Sequence, residues 1–162
     1  MSTPVLLSWS GGKDAAWALY ELQQRDDIEV VAFLSTLTEG YERSSMQGVR
    51  REVLQAQAAA AALPLLQAWI PQVCDNAIYL QRMSAALAEA QQRWPGLNTI
   101  AFGDLLLQDI RAWREQQYAA QGWGTLFPLF GRDTTTLARQ MINQGLQARL
   151  CCVDSTLLDV DF

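Results

Sequence analysis

Short apolar runs alternate with stretches of helical spacing along this chain, and that alternation restricts its fold more than any other feature of the sequence. Val5-Leu6-Leu7 opens the series and runs into Ser and Gly, after which residues 15–22 carry helix formers. Residues 28–34 form a second apolar stretch rich in β-branched side chains, the pattern of a strand buried on both faces. Residues 38–45 are polar and read as a loop, and the Ala/Gln-rich tract that follows predicts a helix over 48–62, stopped by Pro64. A third strand is expected over 65–70. Asp75 then caps a long helix to about residue 94, with Tyr79, Met83, Leu87 and Ala90 on one face. Beyond the Pro95-Gly96 break, the sequence predicts a strand over 99–102, a helix over 106–120 and an ordered Gly- and aromatic-rich loop over 122–131. A last helix over 134–144 and a fifth strand over 146–153 complete the series.

Parallel neighbours require crossover connections of about a dozen residues or more, which these helices supply. The expected fold is α/β, a doubly wound five-stranded parallel sheet in a Rossmann-like three-layer arrangement, and 162 residues suit one domain. In that class ligands sit beyond the carboxyl ends of the strands, where the winding reverses. Residues 8–14, 35–45 and 103–111, with Asp154, are therefore the places to look for a site.

Composition narrows the chemistry. The chain has no histidine, which removes imidazole bases, Ser-His and Cys-His nucleophile pairs and most zinc sites. Cys74, Cys151 and Cys152 make no metal motif and are expected to be reduced and buried. A net charge of −5 opposes a broad nucleic-acid face, while local clusters such as Arg50-Arg51 can still meet a small phosphorylated ligand. No apolar run approaches the roughly 20 residues of a membrane span, and the N-terminus lacks the pattern of a secretory signal, so a cytoplasmic protein is expected.

After the first strand, Ser8-Trp9-Ser10-Gly11-Gly12-Lys13-Asp14 leads directly into a helix. Two glycines allow a sharp turn with bare amides, while the helix start and Lys13 add positive charge, a combination suited to polyphosphate. It is not the mononucleotide P-loop, which needs four residues between its glycines and a hydroxyl after the lysine.

This turn resembles the Ser-Gly-Gly-x-Asp-Ser loop of ATP pyrophosphatases, the PP-loop or adenine nucleotide α-hydrolase-like proteins. Ala15 stands where the pattern has Ser or Thr. The resemblance narrows to the diphthine–ammonia ligase branch through Ser45-Met46-Gln47-Gly48-Val49-Arg50, Gly103-Asp104, Asp109-Ile110-Arg111 and Pro128-Leu129-Phe130-Gly131-Arg132-Asp133-Thr134. Gln47 replaces a usual His, and the Glu-Phe-His-Thr motif of longer relatives has no match, so a single ATP-binding domain over 1–162 without their acceptor region is expected.

The resemblance implies a HUP-like fold, ATP and Mg²⁺ as ligands, and cleavage of ATP to AMP and pyrophosphate to adenylate an acceptor carboxylate or amide, followed by ammonia. Ser8, Trp9, Ser10, Gly11, Gly12, Lys13 and Gly103 would hold the nucleotide, with Ser35 and Thr36 near the adenine. Lys13, Asp14 and Asp104 are the candidate catalytic residues, and Asp14 and Asp104 the candidate metal ligands; Asp14 reads equally as a helix cap. Tyr41, Arg43, Ser45, Met46, Asp109, Arg111 and Arg132 are candidate acceptor contacts, against a surface loop and ordinary ion pairs. Most of the six tryptophans are expected to pack in the core. A nucleotide-sensing module without turnover and a tRNA-modifying enzyme are the rival readings, and a homodimer is compatible with either.

Overall fold

The computed structural model describes residues 2–159. In chain order its elements are β1 (Thr3–Ser8), α1 (Lys13–Gln23), β2 (Ile28–Thr38), β3 (Arg43–Ser44), α2 (Arg51–Ala60) and β4 (Leu65–Ile70). They continue with α3 (Asn76–Arg93), β5 (Thr99–Ala101), α4 (Gln108–Ala119), β6 (Gly124–Leu126) and α5 (Thr134–Asn143). β1 pairs in parallel with β2 and β5, β2 with β4, and β5 with β6. Leu37 and Thr38 pair with both β4 and the antiparallel β3, so these two strands flank β2 on opposite edges. β3 thus continues the edge that β1 leaves at Ser8 and Leu34.

The period of two along the strands builds two cores. Val5, Leu7, Phe33 and Leu37 face one side, where α1, α2 and α5 contribute Trp17, Leu54 and Leu137. Leu6, Ala32, Leu34 and Ile100 face the other, covered by Met83, Leu87 and Ala90 of α3 and Tyr118 of α4. Val5, Leu6 and Leu7 are wholly buried, as a central strand covered on both faces requires. The result is a three-layer α/β/α sandwich of the expected class, and the apolar face of α3 lies where its spacing places it.

The fifth parallel strand is β6, inside the segment expected to be a loop. Its three residues follow Gly122 and Trp123, too short a run to carry a periodic signal. Residues 146–153, expected as that strand, have no regular structure, and β6 takes the place beside β5. The burial expected for the three cysteines does not hold, since Cys151 and Cys152 are exposed and Cys74 is half-buried. α2 begins at Arg51 rather than Gly48, after a turn closed by the Arg43–Arg50 bridge. No helix among the described residues is long and apolar enough to cross a membrane.

Candidate functional site

From β1 the chain winds outward through β2 to β4, then returns to the other side of β1 at β5, so the winding reverses between β1 and β5. The segments following these two strands touch there. A Cβ on Gly103 would stand 2.9 Å from the Asp14 carbonyl carbon and 3.0 Å from the Ala15 nitrogen, backbone atoms with no freedom to retreat. On the opposite side, Gly11 has φ +79, and a Cβ there would lie 2.8 Å from Leu54 Cδ2. The turn is confined between β5 and α2.

Side chains far away in sequence hold the turn in shape. Trp9 N–H donates to the Leu34 carbonyl at 2.8 Å, and the buried Ser35 hydroxyl donates to the Trp9 carbonyl at 2.6 Å. Gln57 of α2 grips the turn twice, accepting from Trp9 Nε1 at 2.9 Å and donating to the Gly11 carbonyl at 3.1 Å. The Trp9 indole stacks on Phe33 at 4.1 Å, so its ring is a packing element as well as cleft wall. Ser10 Oγ accepts from Gly12 N–H at 3.2 Å, and α1 starts without any side-chain cap. Its first-turn amides, orphaned as at every helix start, are left to an external acceptor. Lys13 Nζ sits 2.7 Å from Asp14 Oδ1, with its side chain about half exposed.

The turn borders an open cleft of about 1080 Å³. Of the residues singled out from sequence, Ser8, Trp9, Ser10, Asp14, Thr36 and Ser45 line it, together with Met46, Gly103, Asp104 and Asp109. Gly11, Gly12 and Lys13 form its border rather than its wall, and Ser35 acts from beneath. Tyr41 is exposed and reaches Gln72, while Arg43 donates to the Gly48 carbonyl at 2.8 Å. Arg111 pairs with Glu115 and stacks over Phe127 and Phe130, and Arg132 ties Glu21 of α1 to Gln140 of α5. These four are not brought to the cleft wall.

Several wall residues, Tyr79, Trp113 and Arg114 among them, and Gln57 behind the turn were not among the site residues singled out from sequence. Tyr79 and Trp113, with ring centroids 6.0 Å apart, line the apolar end of the cleft, and only the helical face shared by Tyr79 and Met83 hinted at that placement. Gln57 lay hidden in a tract whose composition signals helix and nothing more. Among the described residues the cleft carries four carboxylates, Asp14, Asp75, Asp104 and Asp109, against the single guanidinium of Arg114.

In the cleft wall, Arg114 Nε lies 2.8 Å from Asp104 Oδ2, in an ion pair whose angles fall outside hydrogen-bond geometry. Tyr118, 1% exposed, has a hydroxyl with no aligned partner. Burial pushes its phenol well above the ordinary range, and neighbouring Tyr79 adds to the shift. Because that hydroxyl gains little from its surroundings, Tyr118→Phe is expected to change stability by less than about 1 kcal/mol, measured by urea unfolding. A loss above about 2 kcal/mol would reveal a strong hydrogen bond at this position.

The comparisons with known proteins bear on this arrangement. The family model described as the diphthamide synthase N-terminal domain matches residues 1–122, from β1 through α4, and so includes both touching segments and all of the cleft wall. The curated proteins contain no match to the chain.

Proposed function

Because this chain belongs to the diphthamide synthase N-terminal domain family, a family of PP-loop ATP pyrophosphatases that use ATP, we propose that it cleaves ATP between the α and β phosphates. The observation that carries this reading is the uncapped start of α1, set behind a glycine turn at the reversal point between β1 and β5. In the proposed binding mode the leaving pyrophosphate lies against the amides of residues 10–15 and Ser10 Oγ, with the Lys13 ammonium above it. The adenine lies toward Leu34, Ser35 and Thr36, and the arm carrying Ser45 and Met46 covers the ribose side. An acceptor carboxylate or amide oxygen attacks the α-phosphorus, the bond to the bridging oxygen breaks, and pyrophosphate departs. Ammonia then displaces AMP, releasing a proton and leaving an amide where the adenylated acceptor is a carboxylate, or an amidine where it is an amide. Positioning and charge neutralisation carry most of such chemistry.

Asp14 and Asp104 fit a magnesium ion. Both line the cleft from touching segments, and Mg²⁺ commonly takes one or two carboxylates and completes its sphere with substrate phosphates and water. Among the described residues no three His, Cys, Asp or Glu side chains gather into a protein-only cage, so the substrate phosphates would have to supply the rest. When bound, the ion would neutralise charge developing on the leaving pyrophosphate.

Incubating the protein with ATP labelled in the α-phosphate, with Mg²⁺ and ammonia and a panel of carboxylate acceptors, is expected to yield labelled AMP and free pyrophosphate. Labelled ADP as the sole product would overturn the proposal. One observation favours a second reading. Ala15, 4% exposed at the cleft wall, provides no hydroxyl where the resembling pattern has one. A nucleotide-sensing module would bind ATP or AMP tightly, releasing neither product, and the same experiment separates the two.

A further inference from the structure

Two arginines of α4 stack on aromatic rings, and only one of them faces the cleft. Arg111 engages Phe127, Phe130 and Glu115, away from the wall. The Arg114 guanidinium lies 4.1 Å from the centroid of Phe102, which is 1% exposed and itself braced edge-on by Tyr118 at 5.3 Å. This stack places Nε 2.8 Å from Asp104 Oδ2. Both of those atoms are sealed from solvent, yet the Asp104 side chain as a whole keeps 24% of its surface exposed. The exposure therefore belongs to its other atoms, and Oδ1 is the oxygen left to meet the cleft.

From this geometry we infer that Arg114 is a positioning residue, which anchors one oxygen of Asp104 so that the other is presented to a divalent cation. The inference rests on the proposed ATP-cleaving function for its purpose but not for its test. A planar guanidinium clamped on a ring can fix a carboxylate by charge even where the N–H is misaligned, and a partner behind a metal ligand typically contributes about 10–100-fold in metal affinity.

Mn²⁺ titration of the full chain, followed by electron paramagnetic resonance, tests the role both with and without α,β-methylene-ATP, which cannot be split at the relevant bond. Arg114→Gln is expected to weaken Mn²⁺ binding about tenfold, close to the effect of Asp104→Asn, and the double variant is expected to be no weaker than Asp104→Asn alone. Arg114→Lys, which keeps the charge and loses the flat stack, is expected to restore part of the affinity. Unchanged Mn²⁺ affinity in Arg114→Gln, losses that multiply in the double variant, or a wild-type protein that holds no Mn²⁺ at this cleft would each overturn the inference. Failure of the function proposal would look different: the analogue would not bind, while Mn²⁺ alone would still respond to Arg114.

Discussion

Asp104→Asn is expected to lower AMP-forming turnover by about 10²–10³-fold, a loss typical of removing one charge-stabilising group from a preorganised site. The amide keeps the shape of the carboxylate and removes its charge. It therefore deprives the cleft of one of the four carboxylates in its wall while leaving the contact between the β1 and β5 segments in place. Arg114 is left facing a neutral group in a partly buried setting, its side chain 21% exposed, and that costs about 1–3 kcal/mol of stability. Against a total of about 5–15 kcal/mol for a domain, this leaves the protein folded, so the loss of turnover cannot be assigned to unfolding. Steady-state release of AMP, with a urea unfolding curve on the same sample, separates the two effects. Turnover above about a tenth of wild type would remove Asp104 from the chemistry.

Gly103→Ala is expected to be more damaging than its size suggests. The added methyl would meet the Asp14 carbonyl carbon at 2.9 Å and the Asp14 oxygen and Ala15 nitrogen at 3.0 Å, all of them backbone. Something must move, and the piece nearest to giving way is the start of α1, which carries the amides proposed to hold the pyrophosphate. Overpacking of this kind costs about 1–3 kcal/mol, and a displacement of about 1 Å at a reacting centre can cost about 10²-fold in rate. Gly12→Ala is the control, since its Cβ would meet only Ser10 Oγ, at 3.3 Å. A Gly103→Ala enzyme with wild-type turnover and wild-type urea midpoint would show that the contact between the two segments is irrelevant to the site.

How far the sequence could be read depended on the range of the signal. β1 and the middle of β2 announce themselves as apolar runs because they are buried on both faces, and the Ser8–Asp14 turn is legible because its glycines, lysine and following helix are contiguous. β6 was not legible: three residues beside a glycine carry no period, and their pairing with Thr99, Ile100 and Ala101 is a tertiary fact. Residues 146–153 have strand-like composition but pair with no strand, and whether a segment joins a sheet is a tertiary matter that composition cannot register. At the site the same division holds. Asp14, Ser45 and Asp104 were found through local motifs and do line the cleft, whereas Gln57 reaches Gly11 across 46 positions and leaves no local trace. The motif pointed to Arg111, but the positions of Phe102, Phe127 and Phe130 leave Arg114, three residues along the same helix, at the cleft instead.

The main-chain amides at the start of α1 are the proposed seat of the polyphosphate. A crystal structure of the protein with α,β-methylene-ATP and Mg²⁺ measures this directly. The β- and γ-phosphate oxygens are expected within about 3 Å of the backbone nitrogens of residues 10–15. Phosphates bound elsewhere, with those nitrogens satisfied by the protein itself, would contradict it.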